Sequence, residues 1–138
     1  MKILMIYMDR FLYKPRLKSL EEFPDHNESK TFENAQVAFI HAESADEDED
    51  RSKAIEKKLI KNLKWIAGKN LTKLIVLHSF AHLSESKAAP DFTKAFFDRV
   101  EVRLKNAGYD VFQTPFGYFL DLEVKAPGHS LARVFKSL

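Results

Sequence analysis

Leu71-Thr-Lys-Leu-Ile-Val-Leu77 runs without a break into His78-Ser79-Phe80-Ala81-His82-Leu83-Ser84. The first seven residues are apolar enough for a strand in the middle of a sheet. The next seven set two imidazoles, two hydroxyls and an aromatic ring just beyond the strand's carboxyl end. In open α/β sheets that is where loops converge and ligands bind. Pro90 then opens a helical pattern in which Phe92, Phe96, Val100, Leu104 and Ala107 share a stripe, and Gly108 ends it.

The same alternation of strand and helix extends outward in both directions. Upstream, Ile55, Leu59, Leu63 and Ile66 recur at helical spacing, which predicts a helix from Arg51 to Ala67 stopped by Gly68. Its other face carries Lys53, Lys57, Lys58, Lys61 and Lys64 and reads as a solvated surface, at most a weak phosphate-facing patch. The acidic run Asp46 to Asp50 just before it reads as a solvated loop at the positive end of the helix dipole. It lacks the alternating ligands and central glycine of an EF-hand. Lys2 to Met8 and Ala35 to Ala42 read as strands. In the second, Val37, Phe39 and His41 take one face and Ala38, Ile40 and Ala42 the other. Between them, Phe11 to Glu33 mixes charges with Pro15 and Pro24 and reads mostly as loop. Downstream come a strand at Asp110 to Thr114, a bend at Pro115-Phe116-Gly117 and a strand at Tyr118 to Lys125. The order is β-β-α-β-α-β-β: an α/β domain with a single β-sheet and two main helices packed on it.

The 138 residues form one domain, residues 1–138. For 16.0 kDa, surface scaling leaves roughly 7,400 Å² exposed of about 23,000 Å² in the unfolded chain, enough for a real core. The formal net charge of +2 argues against a protein whose main task is to coat a phosphate backbone. Without cysteine there is no disulfide framework, thiolate metal site or cysteine nucleophile. The apolar opening MKILMIYM is too short to span a bilayer and has no cleavage pattern, so the cytosol is the expected compartment and no membrane partner is expected.

His78 and His82 stand four apart, but no glutamate lies between them and the segment is strand and loop, so no metal is expected. Ser79 and Ser84 lie outside any G-x-S-x-G elbow and suit turn formation or capping. Only four glycines occur, none in a phosphate-cradling loop. Gly117 either lets the backbone approach a ligand or allows a tight bend.

Three segments, Phe80-Ala81-His82-Leu83-Ser84, Pro115-Phe116-Gly117-Tyr118-Phe119 and Gly128-His129-Ser130-Leu131-Ala132, together resemble the archaeal editing domain at the amino terminus of threonyl-tRNA synthetase. The fold of that family is similar to that of D-aminoacyl-tRNA deacylases. The resemblance spans nearly the whole chain. It implies a cofactor-free hydrolase that removes wrongly attached serine from the 3′ end of threonine tRNA. The chain would work as a homodimer, with the remaining synthetase domains in one chain or with a separate synthetase chain. Carried over by position, Ser79, Phe80, Ala81 and His82 would hold the seryl group and terminal adenosine. Ala42 and Phe119 would flank the adenine, with Phe116, Gly117 and Tyr118 as the other wall. His82 would be the catalytic side chain, mainly orienting substrate or water, while backbone N–H groups bind the oxyanion and the tRNA 2′-hydroxyl places the water. Two positions depart from the family pattern: its lysine after the FGYY-like motif is Leu120 here, and an expected acidic residue is Arg133. A D-aminoacyl-tRNA deacylase and a non-catalytic module that binds tRNA ends or dimerises are the alternatives.

Overall fold

The computed structural model describes residues 1–138. Six strands, β1 (Lys2–Lys18), β2 (Lys30–His41), β3 (Leu74–Ser79), β4 (Asp110–Gln113), β5 (Tyr118–Lys125) and β6 (Arg133–Ser137), form one curled mixed sheet. Two helices join them, α1 (Glu49–Lys69) and α2 (Pro90–Asn106). The strand order is β4-β3-β2-β1-β5, with β6 also on β1. The β2–β3 and β3–β4 pairs are parallel and the others antiparallel. The folded surface is 7467 Å², close to the value expected from mass alone.

Both helices pack on one side of the sheet. Ile55, Leu59, Leu63 and Ile66 of α1 meet Phe96, Phe97, Val100 and Leu104 of α2 over Ile3, Met5, Ala38, Ile40, Ile75 and Leu77. Each such side chain contributes roughly 1.5–3 kcal/mol of burial. The α2 stripe is turned slightly from the expected one, so that Phe97 is buried and Ala107 exposed. A second cluster, Met8, Phe11, Tyr13, Phe32, Val37, Phe39 and Val76, lines the sheet's opposite side, as the alternation in Ala35 to Ala42 predicts.

The segment read as loop is largely strand. β1 continues to Lys18 and β2 begins at Lys30, leaving only residues 19–29 outside regular structure. Leu4, Ile6 and Met8 face the second cluster, yet so do Phe11 and Tyr13. The two-residue alternation changes phase between them, as it does between Ala35 and Phe32 on the partner strand. Asn34 sits at this point with φ 52, so the sheet curls there without losing register. Pro15 falls at a register shift against β5.

Other boundaries also move. Gly68 lies inside the last turn of α1, which ends at Lys69 with Asn70 as its C-cap; the Asn70 side chain donates to Gln36 Oε1 and the Leu131 carbonyl. Leu71 is then in the left-handed region at φ 55 and 94% exposed, so β3 starts at Leu74 rather than Leu71. The unexpected β6 pairs with residues 2–6 of β1 through its main chain, and its mostly exposed side chains give no burial pattern in sequence.

The acidic run is not uniformly solvated. Asp48 accepts the Arg51 N–H as the α1 cap, but Asp46 is fully buried. It accepts from the Met1 ammonium at 3.1 Å, the Glu43 N–H at 2.8 Å and Arg51 Nε at 3.2 Å. The same ammonium donates to Glu43 at 2.8 Å, and that bond holds the Glu43 carboxyl down at about 2.

Candidate functional site

Parallel strands β2 and β3 deliver their carboxyl ends, His41 and Ser79, to the same rim at which α2 begins with Pro90. The chain between Ser79 and Pro90 is tied there by main-chain bonds: the Phe80 N–H donates to the Ile40 carbonyl and the Ala88 N–H to the Ala42 carbonyl. His41 is a brace within this loop. Its Nδ1 accepts from the Leu83 N–H at 2.9 Å, which leaves the proton on Nε2 to be donated to the Ser86 carbonyl at 2.6 Å. Ser84 Oγ donates to Glu43 Oε2 at 2.7 Å. Within the turn so held, the amides of Ala81 and His82 have no hydrogen-bond partner.

The bend before β5 meets this loop from the other side. Gly117 has φ +83, and its carbonyl accepts from the Ser19 and Leu20 N–H groups at 2.7 and 3.2 Å. The bend therefore carries residues 19–23 with it, and Phe116 is wedged edge-on between Phe23 and Phe97. A Cβ on Gly117 would lie 3.0 Å from Leu20 Cβ and 3.3 Å from the Leu20 carbonyl oxygen. Gly117→Ala is accordingly expected to lose about 1–3 kcal/mol, from the left-handed backbone and the displaced Leu20, measured as a lower urea midpoint.

Between the two turns lies one cavity of about 170 Å³, lined by Ile40, His41, Ala42, Ser79, Ala81, Phe116, Lys87, Thr93 and Leu20 among others. Four of the residues singled out in the sequence, Ala42, Ser79, Ala81 and Phe116, thus share one hollow, with Gly117 shaping the wall behind it. The others lie elsewhere. Phe80 joins the second apolar cluster, with ring centroids 5.0 Å from Phe39, and the exposed His82 ring rests 4.8 Å from Phe80. Tyr118 accepts the His26 N–H at its hydroxyl. Phe119 is 59% exposed and stands opposite Leu17. Leu120 is packed against the second cluster, and Arg133 donates to the Pro127 carbonyl.

Sequence reasoning missed His41, Leu20, Lys87 and Thr93 at this cavity. The bracing role of His41 depends on a loop that folds back more than forty residues later, and Lys87 belongs to no pattern. His78, the other histidine of the segment, is buried and bonded to Thr114 Oγ1 at 2.8 Å. Burial, reinforced by the nearby His82, lowers its pKa to about 4, so it is neutral near pH 7. No group of three or more His, Asp or Glu side chains is placed to hold a metal ion, and no helix is long and apolar enough to cross a membrane.

A family model described as the archaea-specific editing domain of threonyl-tRNA synthetase matches residues 1–138. Among curated proteins, the threonine–tRNA ligase of Hyperthermus butylicus is 32% identical over 99% of the chain and 23% of its own length. Those of Thermococcus sibiricus and Methanopyrus kandleri are 30% and 31% identical over the whole chain and 22% of theirs. The chain thus spans less than a quarter of the relatives it matches. Among solved structures, a chain titled c-Myc DNA Unwinding Element Binding Protein superposes with a TM-score of 0.69 at 12% identity, covering 100% of this chain and 99% of that one. That likeness concerns the fold alone.

Proposed function

Since the chain belongs to the family of archaea-specific editing domains of threonyl-tRNA synthetase, we propose that its cavity receives the seryl group of wrongly charged threonine tRNA and that the rim hydrolyses the ester. The observation that carries this reading is the pair of unpartnered amides, Ala81 and His82, in the turn that borders the cavity. Two adjacent N–H groups left free in a braced loop are suited to an oxyanion, because they need no reorganisation as charge develops. Water attacks the ester carbonyl, the carbonyl oxygen takes the negative charge, and the bond to the ribose oxygen breaks. That oxygen leaves with a proton, releasing serine and uncharged tRNA.

Cavity size supports the division of labour. At about 170 Å³ it is smaller than the roughly 300–1,000 Å³ of pockets for larger ligands, so it suits an aminoacyl group while the terminal adenosine lies across the mouth. Ala42 and Phe116 border that mouth, and the exposed Phe119 offers a ring to the base. Lys87 is a cation in the cavity lining and would meet the tRNA's terminal phosphate. Removing serine by a second site is needed because one methyl group is worth only about 1–3 kcal/mol in the site that first selects threonine.

The remaining synthetase domains, or a separate synthetase chain, supply the rest of the tRNA contacts. A homodimer is the proposed assembly, since no helix covers the sheet face bearing the second cluster. The test is hydrolysis of L-Ser-tRNA(Thr) and L-Thr-tRNA(Thr) by this chain, side by side. Serine is expected to be released at least about 10-fold faster than threonine, in line with a one-methyl difference. Equal rates, release of D-amino acids alone, or binding of a seryl-adenosine mimic without hydrolysis would each overturn the reading.

A further inference from the structure

The charge of the chain is unevenly distributed. Residues 57–69 and 126–138 hold seven of its 22 basic residues and none of its 20 acidic ones. These two stretches are the carboxyl half of α1 and the segment that ends in β6, and they come together beside the sheet edge. Where they meet is a groove of about 410 Å³ lined by Lys58, Lys61, Asn62, Trp65 and Lys136. Lys61, Asn62 and Trp65 lie three, four and seven residues after Lys58, so the α1 members share one helix face.

Two features separate this groove from an ordinary lysine-rich surface. Lys53, Lys94 and Lys105 each pair with a carboxylate one turn away, whereas the carboxyl half of α1 carries Lys57, Lys64 and Lys69 without a carboxylate partner. Lys58, Lys61 and Lys136 are in no ion pair, and no carboxylate lines the groove. Second, the chain's single tryptophan forms part of the wall, 41% exposed, with the Lys136 ammonium 5.9 Å from its ring centroid. An indole left open beside unpaired cations offers a stacking plane next to a phosphate-binding track.

We propose that this groove docks the phosphodiester backbone of tRNA outside its 3′ end, with Trp65 packing against a ribose or base. The proposal rests on the editing reading for the identity of the nucleic acid, but the groove lies apart from the cavity. The two hollows share no lining residue, and none of the cavity's lining comes from α1. A surface of this kind holds the body of the tRNA while the small cavity handles only the aminoacyl end.

The test combines binding and turnover in the complete chain, using fluorescein-labelled uncharged tRNA(Thr) in 50–200 mM KCl. The variants are Lys58→Glu/Lys61→Glu and, separately, Trp65→Leu, each checked by circular dichroism. Wild-type protein is expected to bind with Trp65 emission quenched. The double variant is expected to weaken binding at least 10-fold at 100 mM KCl and to flatten the log–log salt dependence by about 1.8, from two lost phosphate contacts. Hydrolysis of 3′-seryl-adenosine is expected to stay unchanged in both variants while kcat/KM on full Ser-tRNA falls. Unchanged tRNA affinity in the double variant, or tRNA binding that leaves Trp65 emission untouched, overturns the proposal. So does loss of association with the other synthetase domains at unchanged tRNA affinity, which would make the groove a protein contact. If wild-type protein hydrolyses neither substrate, the editing reading fails, and the groove is still judged by the tRNA-binding and quenching results.

Discussion

Asp46→Ala is expected to destabilise the domain by about 3–5 kcal/mol, the cost of removing one partner from a buried ion pair. The carboxylate is fully buried and is shared by the Met1 ammonium, the Glu43 N–H and Arg51 Nε. Without it the ammonium, itself buried, keeps only Glu43, and a main-chain donor loses its acceptor. Urea unfolding followed by far-ultraviolet circular dichroism measures the loss. Asp48→Ala is the companion: two residues away it removes only an exposed cap to the Arg51 N–H, expected to cost about 1 kcal/mol. Equal effects at the two positions would show that burial of Asp46 has no special role. Because Glu43 and Asp46 both hang from the segment that receives the 80–88 loop, loss of Asp46 is also expected to loosen the Ser84–Glu43 bond at the candidate site.

Replacing the terminal adenosine of Ser-tRNA(Thr) by its 2′-deoxy form is expected to slow hydrolysis by about 10²- to 10³-fold, the scale of one lost polar group acting on the transition state. The expectation follows from the scarcity of bases at the cavity. His78 is neutral but buried and bonded to Thr114, His41 is committed on both ring nitrogens, and Leu120 has no polar atom. The exposed His82 ring rests on Phe80, outside the cavity lining. His82→Ala is accordingly expected to retain measurable single-turnover hydrolysis, with its main effect on substrate binding. Full-rate cleavage of the 2′-deoxy substrate, or complete inactivity of His82→Ala, would refute this assignment.

Which parts of the molecule were legible in sequence follows from how local their causes are. The α2 boundaries and β5 are set by neighbours in the chain, a proline at the first turn and a clean alternation. The convergence of Ser79, Ala81 and Phe116 on one hollow was readable because both turns follow strand ends on one rim. The long β1 was hidden for a specific reason. Its alternation changes phase near Asn34 of the partner strand, so a continuous strand reads as two unrelated pieces. β6 depends on main-chain pairing with residues 2–6, which leaves no hydrophobic signature. Asp46 looked like its acidic neighbours because burial is conferred by Met1 and Arg51, neither of which marks it in the sequence. Trp65 and Lys136 lie 71 positions apart and were not associable before α1 and β6 were seen side by side.

The placement of β1 also bears on the order of synthesis. One edge of this 17-residue strand is covered by β2 soon after it is made, whereas the other waits for β5 and β6, which begin at Tyr118 and Arg133. At the usual ribosomal pace of roughly 5–20 residues per second, the intervening hundred residues leave that edge uncovered for about 5–20 seconds. During this interval a long, half-apolar ribbon is a template for neighbouring nascent chains, so slowing translation downstream of β2 should favour entanglement over folding.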